Sequence, residues 1–310
     1  MNMIKLLDVT LRDGGNRIDF HFNQNDLQHI LAPLDRSGMD YIEIGYRNGS
    51  IHPIANIGAA GMCAKDYLLS CRSLINKAKI AVMVHPKNIT QDDLAELRAC
   101  GVELLRICVI KGELAEACPL IVMAKQHGLD VSLNFIHASY YRESELDAAV
   151  EQACTFYPDM IYFADSNGSL LPTNVHSIYE KYTKHYDIPF GFHAHDNLGL
   201  AQANTIAALD AGAHFVDASL SGMGKGIGNL RTEFFIAYLQ AIRGKKYNLD
   251  HVLPATNYVR RVFETAQEDI EMDEFIRGIS DLSTADLKRL KINEKNDTRD
   301  VARSSAKIVY

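Results

Sequence analysis

The sequence predicts a (β/α)8 barrel, an α/β fold, and three observations carry that expectation. Short β-branched or apolar runs alternate with amphipathic helical patterns at a spacing near 30 residues, as repeated βα units around a parallel sheet do. Eight such runs occur, and eight strands each followed by a helix close into a barrel more readily than they spread into an open sheet. The residues that start and stop helices also fall in register with this alternation.

Taken in order, the first strand covers Ile4 to Leu11, and Asn25 or Asp26 caps a helix over Asp26 to Arg36. Tyr41 to Tyr46 and Ile80 to His85 are the second and third strands, with no helix assigned between them. Thr90 caps the helix that opens with Gln91 and runs through Asp92 to Cys100, and Gly101 stops it. Leu104 to Ile110 is the fourth strand, followed by a helix over Glu113 to His127 that Gly128 ends. The fifth, Val131 to His137, precedes a helix over Ser144 to Phe156; the sixth, Met160 to Ser166, one over Asn174 to His185. Phe190 to His195 is the seventh, with its helix over Leu200 to Ala211 stopped by Gly212, and Phe215 to Ser221 is the eighth, leading to Thr232 to Arg243. Residues 1–244 are thus expected to form the barrel domain. Residues 245–310 are a short C-terminal helical extension with one helix, Leu253 to Gln267, and a polar stretch, Asn293 to Ala306, read as mobile.

Composition sets outer limits. At 310 residues, 47% hydrophobic and 23% charged, the chain can bury a large core, and collagen-like, disordered and disulfide-scaffold classes are excluded. Lys plus Arg number 32 against 39 Asp plus Glu, and a net charge of -7 argues against nucleic acid or anionic lipid as partners. The six cysteines contain no Cys-x-x-Cys pair, and four lie in apolar stretches, which reads as reduced, mostly buried thiols. The N-terminus meets Asp8 before any signal-peptide core forms, and no run approaches 18 apolar residues, so the expectation is a cytoplasmic protein without a membrane span.

In such a barrel the active site lies at the C-terminal ends of the strands, and two ends stand out. The first closes with Arg12-Asp13-Gly14-Gly15, the seventh with His193-Ala194-His195-Asp196. Residues two apart on a strand face one side, so His193 and His195 both point into the mouth and offer imidazole nitrogens to one ion. Asp13 adds a carboxylate, and Asn229, after the glycine-rich run Gly222 to Gly228, offers a fourth ligand. This donor set suits Mn2+, Fe2+, Co2+ or Zn2+ with open positions for water or substrate. The glycine run is no P-loop, since Lys225 precedes Gly226 and not a hydroxyl residue, and it reads as a turn that approaches the metal closely.

Thr10-Leu11-Arg12-Asp13-Gly14, His193-x-His195 and Gly226-x-Gly228-Asn229 together resemble the HMG-CoA lyase-like (DRE-TIM) metallolyase superfamily of TIM barrels. Within it, Ala164-Asp165-Ser166-Asn167-Gly168 and the run Gly191 to Ala237 are most similar to the class II 4-hydroxy-2-oxovalerate (pyruvate) aldolases. The resemblance spans residues 4 to about 240. It implies a divalent metal, usually Mn2+ with Mg2+, Co2+ or Zn2+ as alternatives, held by Asp13, His193 and His195. It also implies that Arg12 stabilises an enolate oxygen and that Ser166 seats a pyruvyl carboxylate. The substrates implied are a small 2-oxoacid and an aldehyde, and the barrel is expected to be a homo-oligomer.

Two departures matter. Those aldolases carry a base histidine three residues beyond the motif's aspartate, and this chain has Asn16 there, which accepts no proton near neutral pH. The residues after Gly244 are also too few and too different to match the aldolases' dehydrogenase-docking domain, which argues against a dehydrogenase partner. His137, at the end of strand five, and His21, in the loop after strand one, are the leading replacements for the base, with His85 behind them. Tyr46, Tyr140 and Tyr141 are candidates to orient substrate, and Glu43 is expected to hold Arg12 or a metal-bound water. The leading function is therefore a metal-dependent aldolase acting on pyruvate or a related 2-oxoacid. A Claisen-type acyltransferase joining an acyl-CoA to a 2-oxoacid is the alternative; a non-haem iron oxygenase and a non-catalytic assembly barrel stand behind it.

Overall fold

A computed structural model describes residues 4–51, 53–242, 244, 246–266 and 272–293. Eight parallel strands close into a barrel in sequence order: β1 (Lys5–Asp8), β2 (Tyr41–Tyr46), β3 (Lys79–Val84), β4 (Val102–Val109), β5 (Asp130–Phe135), β6 (Met160–Asp165), β7 (Phe190–Ala194) and β8 (Phe215–Ala218). The last strand returns to the first in the register Lys5 against Phe215 and Asp8 against Ala218, so no edge is left unpaired.

The strands lie where the sequence put them, but most are shorter at the C-terminal end. Beyond β1 the chain turns at once, because Asp8 accepts the Thr10 N–H at 3.0 Å and its hydroxyl at 2.9 Å, and Asp13 N–H returns to Val9 O. Arg12 and Asp13 are thereby folded inward at the rim rather than carried away on an extended strand.

The helices are α1 (Gln24–Arg36), α2 (Ala59–Met62), α3 (Lys65–Leu74), α4 (Gln91–Ala99), α5 (Leu114–Gln126), α6 (Glu143–Cys154), α7 (Pro172–His185), α8 (Ala201–Asp210) and α9 (Thr232–Ala241). Thr90 does cap α4 in a reciprocal box with Asp93, whereas α1 is capped by Asn23 with Asp26, two residues before Asn25, the earlier of the two expected caps. The pair α2 and α3 fills the connection to which no helix was assigned. Neither has a side-chain cap, and α3 buries only Tyr67, Leu68 and Cys71 in a polar sequence, so the sequence carries little boundary signal there.

After the barrel the chain forms α10 (Leu249–Val262), α11 (Met272–Ser280) and α12 (Thr284–Asn293), three helices where one was expected. The first begins four residues before Leu253 because Asn248 Oδ1 accepts the Asp250 N–H. It packs on α1, with Tyr258 OH donating to Asp26 Oδ1 at 2.7 Å. It ends at Val262 with Phe263 as its C-cap, short of the expected Gln267; Gln267 and most of the polar stretch to Ala306 lie outside the described residues. Among those described, no helix is long and apolar enough to cross a membrane.

The barrel interior is layered by the two-residue strand period. Leu7, Tyr41, Ala81, Leu104, Met160, Tyr162 and Phe215 fill its floor with apolar side chains. Two residues further along the same strands the lining turns polar, at Glu43 above Tyr41, Arg106 above Leu104 and Asp217 above Phe215, all buried. A larger apolar shell between strands and helices surrounds this column.

Candidate active site

Arg106 anchors the polar layer. It is 1% exposed, donates from Nη1 to Glu43 Oε2 at 2.8 Å, and from Nη2 to Asp217 Oδ2 at 2.7 Å and Asn134 Oδ1 at 2.9 Å. Arg12 joins from β1's end, with Nε to Glu43 Oε2 at 2.7 Å and Nη1 to Asp13 Oδ1 at 2.9 Å. Glu43 thus holds Arg12, as its place on β2 suggested. Buried charges are tolerable only when matched in this way, and each guanidinium here has carboxylates on it.

Above this layer Asp13, His193 and His195 bring one ligand atom each within 4.8 Å of one another, and all three are buried. His193 donates from Nδ1 to Asp217 Oδ2 at 3.0 Å, which fixes the tautomer that leaves Nε2 as a lone-pair donor. Burial alone would raise the Asp13 carboxyl, but the facing His195 ring and then the Arg12 guanidinium, with which Asp13 is paired, hold it well below the usual carboxylate range. His195 is lowered to about 3 by burial, against the opposing pull of Asp13, so its imidazole is neutral. Asn229 donates from Nδ2 to Asp13 Oδ2 at 2.9 Å, while its Oδ1 is buried and unpartnered among the described residues. One carboxylate and two imidazoles beside an orphaned amide oxygen fit a divalent cation by donor chemistry.

The glycine run permits this closeness. A Cβ on Gly224 would stand 2.5 Å from Asn229 Nδ2, so a side chain there would displace the amide. Arg17 clasps the same turn, donating to the carbonyls of Gly224 and Gly226.

A cavity of about 810 Å³ opens above the triad, lined among others by Arg12, Tyr46, His137, Ser166 and Lys225. Ser166 Oγ accepts the His137 N–H at 2.9 Å, leaving its own proton for a ligand. Tyr46 stacks on His85 with ring centroids 5.4 Å apart, and the Arg12 guanidinium lies 6.0 Å from its ring. His137 sits beyond β5 with φ 49°, its ring stacked on Tyr140 at 5.0 Å. Its Nδ1 faces Asn167 Oδ1 at 3.1 Å, and Asn167 Nδ2 donates to Asp281 Oδ1 at 2.7 Å. The carboxylate sets the amide's orientation, so His137 Nδ1 carries the proton and Nε2 is the basic atom. Burial pushes the His137 pKa below its ordinary value.

The candidates therefore separate. Asp13, His193, His195, Asn229, Arg12, Ser166, Tyr46 and His137 converge on one mouth, whereas His21 does not. His21 is absent from the cavity wall, and its Nε2 meets Asn56 O at 2.8 Å on the exposed outer side, because the turn after Asp13 carries residues 18–22 away from the mouth. Asn16 does line the cavity, but its Nδ2 donates to Asp13 O at 3.0 Å, a positioning contact. Sequence reasoning missed Arg106, Asn167, Arg277 and Asp281, and gave Asp217 no role. For Arg106 and Asp217 a signal existed, a charge flanked by apolar residues in the middle of a strand. Arg277 and Asp281 lie on a segment with no helix assigned to it.

The profile of the family described as HMGL-like matches residues 3–259. The chain belongs to the HMGL-like family. Among curated members, an oxaloacetate decarboxylase of Mycobacterium tuberculosis (strain ATCC 25618 / H37Rv) is 32% identical over 265 residues, covering 86% of this chain and 76% of that protein. A 4-hydroxy-2-oxovalerate aldolase of Carboxydothermus hydrogenoformans (strain ATCC BAA-161 / DSM 6008 / Z-2901) is 34% identical over 239 residues, 76% of this chain and 70% of that one. The solved N-terminal domain of a putative aldolase from Bacteroides vulgatus superimposes with a TM-score of 0.83 at 27% identity, covering 97% of this chain and all of that one. The HMGL-like match begins before β1 and runs through most of α10, so it takes in every proposed metal ligand.

Proposed function

We propose that this HMGL-like protein is a divalent-metal-dependent aldolase, a carbon–carbon lyase that joins or separates pyruvate, or a related 2-oxoacid, and an aldehyde through an enolate. The observation that carries the reading is the buried Asp13, His193 and His195 set with the Arg12 guanidinium bonded to Asp13 beside it. The aldolases among its relatives support it.

Asp13, His193, His195 and the Asn229 amide oxygen would hold the metal, with Mn2+ the expected ion. When bound, it supplies a Lewis acid for the 2-oxo group. Arg12, fixed by Glu43 and Asp13, presents its guanidinium where negative charge develops on the enolate oxygen, and it needs no reorganisation as the charge appears. The Ser166 hydroxyl donates to the pyruvyl carboxylate. His137 Nε2 takes the proton of the 4-hydroxyl as the C3–C4 bond breaks, releasing the aldehyde, and returns that proton to C3 of the enolate. Its lowered pKa keeps it unprotonated and ready at neutral pH. Tyr46 walls the pocket. Six free thiols are consistent with a reducing cytoplasm, and exposed Phe234 and Leu253 leave apolar surface for a homo-oligomer.

A second reading is favoured by Asn16. Decarboxylation of oxaloacetate yields the same enolate without a base on a 4-hydroxyl, and one relative carries that activity in its name. The test is pyruvate release, coupled to lactate dehydrogenase, from 4-hydroxy-2-oxoacids and from oxaloacetate, with Mn2+ or chelator, on wild type and His195→Ala. Chelator-sensitive release from the hydroxy acids that His195→Ala abolishes is the expected result. Release from oxaloacetate alone would transfer the assignment to decarboxylation.

A further inference from the structure

The chemistry just described places one carboxylate and one oxyanion, and Ser166, Arg12 and the metal ligands provide for both. The cavity carries more positive charge than that. Arg12 and Arg106 are matched by Glu43, Asp13 and Asp217, but Lys225, Arg277 and Lys288 also line the wall, and of these Arg277 pairs with Glu274. Glu274 occupies only Nη1 of Arg277, at 2.8 Å. Lys225 and Lys288 have no ion pair among the described residues.

Arg277 is built into the site. It stands on α11, its side chain is 6% exposed, and its Nε is buried without a hydrogen-bond partner among the described residues. A buried charged donor with no acceptor is a standing cost that an arriving oxyanion removes. Its approach to the rim depends on Gly226, where a Cβ would lie 2.6 Å from Glu274 Oε2 and 3.0 Å from Arg277 Nη1. Lys225, Arg277 and His195 line the same cavity, so the three share one mouth. The segment is tied down from the other side: Asp281 Oδ1 accepts from Ser139 Oγ, Asn167 Nδ2 and Ser169 Oγ, each at 2.7 Å, and Tyr140 OH donates to Asp286 Oδ2.

We propose that Arg277 and Lys225, with Lys288 at the exposed rim, bind an anionic group at the far end of the substrate, so that the aldehyde partner carries a carboxylate or a phosphate. The proposal rests on the enolate reading and narrows its acceptor. An uncharged tail leaves the Arg277 Nε–H without an acceptor and Lys225 without an ion pair, and a site built around buried polar donors rejects a ligand lacking the matching acceptor. Aldol cleavage also preserves the charge of a terminal carboxylate, whereas decarboxylation of that carboxylate discharges it. A cationic clamp on that group therefore favours the former.

The test has three arms on the full-length, Mn2+-loaded protein. Exchange of the C3 protons of pyruvate for deuterium, followed by NMR, reports enolate formation with no acceptor present and so tests the underlying reading alone. Calorimetric titration of succinate and of glycerol 3-phosphate into wild type, Arg277→Gln and Arg277→Lys reads the anion site without turnover. The third arm compares kcat/KM for cleavage of 4-hydroxy-2-oxopentanoate, 4-hydroxy-2-oxoglutarate and 4-hydroxy-2-oxo-5-phosphopentanoate.

Wild type is expected to bind at least one of the two anions, to lose about tenfold in affinity in Arg277→Gln, and to regain part of it in Arg277→Lys. The anionic substrates should be preferred by a similar factor, with whichever tail wins telling carboxylate from phosphate. Lys288→Gln, on an exposed helix face that cannot unfold the barrel, should weaken the anion more mildly. Equal anion binding in wild type and Arg277→Gln, or equal kcat/KM across charged and uncharged tails, overturns the proposal. Absent deuterium exchange with Arg277-dependent anion binding intact would remove the aldolase reading and leave the anion site standing.

Discussion

At the scale of single residues, the polar layer beneath the proposed metal ligands decides how they are held. Asp217 is not itself a proposed ligand, yet it accepts hydrogen bonds from His193 Nδ1 and Arg106 Nη2. Asp217→Asn should therefore lower metal affinity by about 10–100-fold, read by competition with a chromophoric chelator, while the fold persists. His137 is tested by pH. Because burial lowers its pKa, the unprotonated base persists below the ordinary histidine value of 6.5, so kcat/KM should hold until that pH is passed and fall only below it. His137→Asn should remove this acid limb and cost about 10²–10⁴ in kcat. A limb unchanged in that variant would assign the base elsewhere. Asp13, His193 and His195 were legible because strand parity and strand ends put them at one mouth. His21 misled because its distance from Asp13 in sequence says nothing about which way the intervening turn carries it. The Asn167 and Asp281 relay behind His137 was hidden, since it joins two segments 114 residues apart.

At the scale of elements, the readable ones were those with a complete local signal. Strands β2 to β8 stand out as apolar runs bounded by turns, and α4 declares itself through Thr90 and Asp93. The helix α3 lacks a cap and a clean apolar stripe; packing of Tyr67, Leu68 and Cys71 holds it instead, and that information resides in its neighbours. The cap of α1 offers a direct check: Asn23→Ala removes acceptors for the N–H groups of Asn25 and Asp26 and should cost about 1 kcal/mol, seen as a lower midpoint in urea. Since α10 packs on α1 through Tyr258 and Asp26, the loss should be felt at the barrel's N-terminal flank and not at the metal.

At the scale of the whole molecule, the barrel stacks an apolar floor, a charged layer and the candidate metal site along one axis, and the C-terminal helices α11 and α12 complete the wall above. Arg106→Met would leave Glu43 and Asp217 buried with less counter-charge, and about 3–5 kcal/mol of global stability should go with it, measured by denaturant unfolding. Asp281→Ala acts differently. It frees Ser139, Asn167 and Ser169 together, so hydrogen exchange should quicken in 272–293 while the strands stay protected. The barrel itself was legible from periodicity because each βα unit repeats the same signal. The helices over the mouth were not, because their anchoring is a set of distant side-chain contacts. Gly226 has one further consequence. The space its missing side chain vacates is taken by Glu274 and Arg277, so a single methyl group at 226 competes with the α11 arm for the mouth. Substrate range is therefore governed at a position that contributes no side chain at all, and drift from glycine there would turn a selective catalyst into a permissive one with every catalytic group still in place.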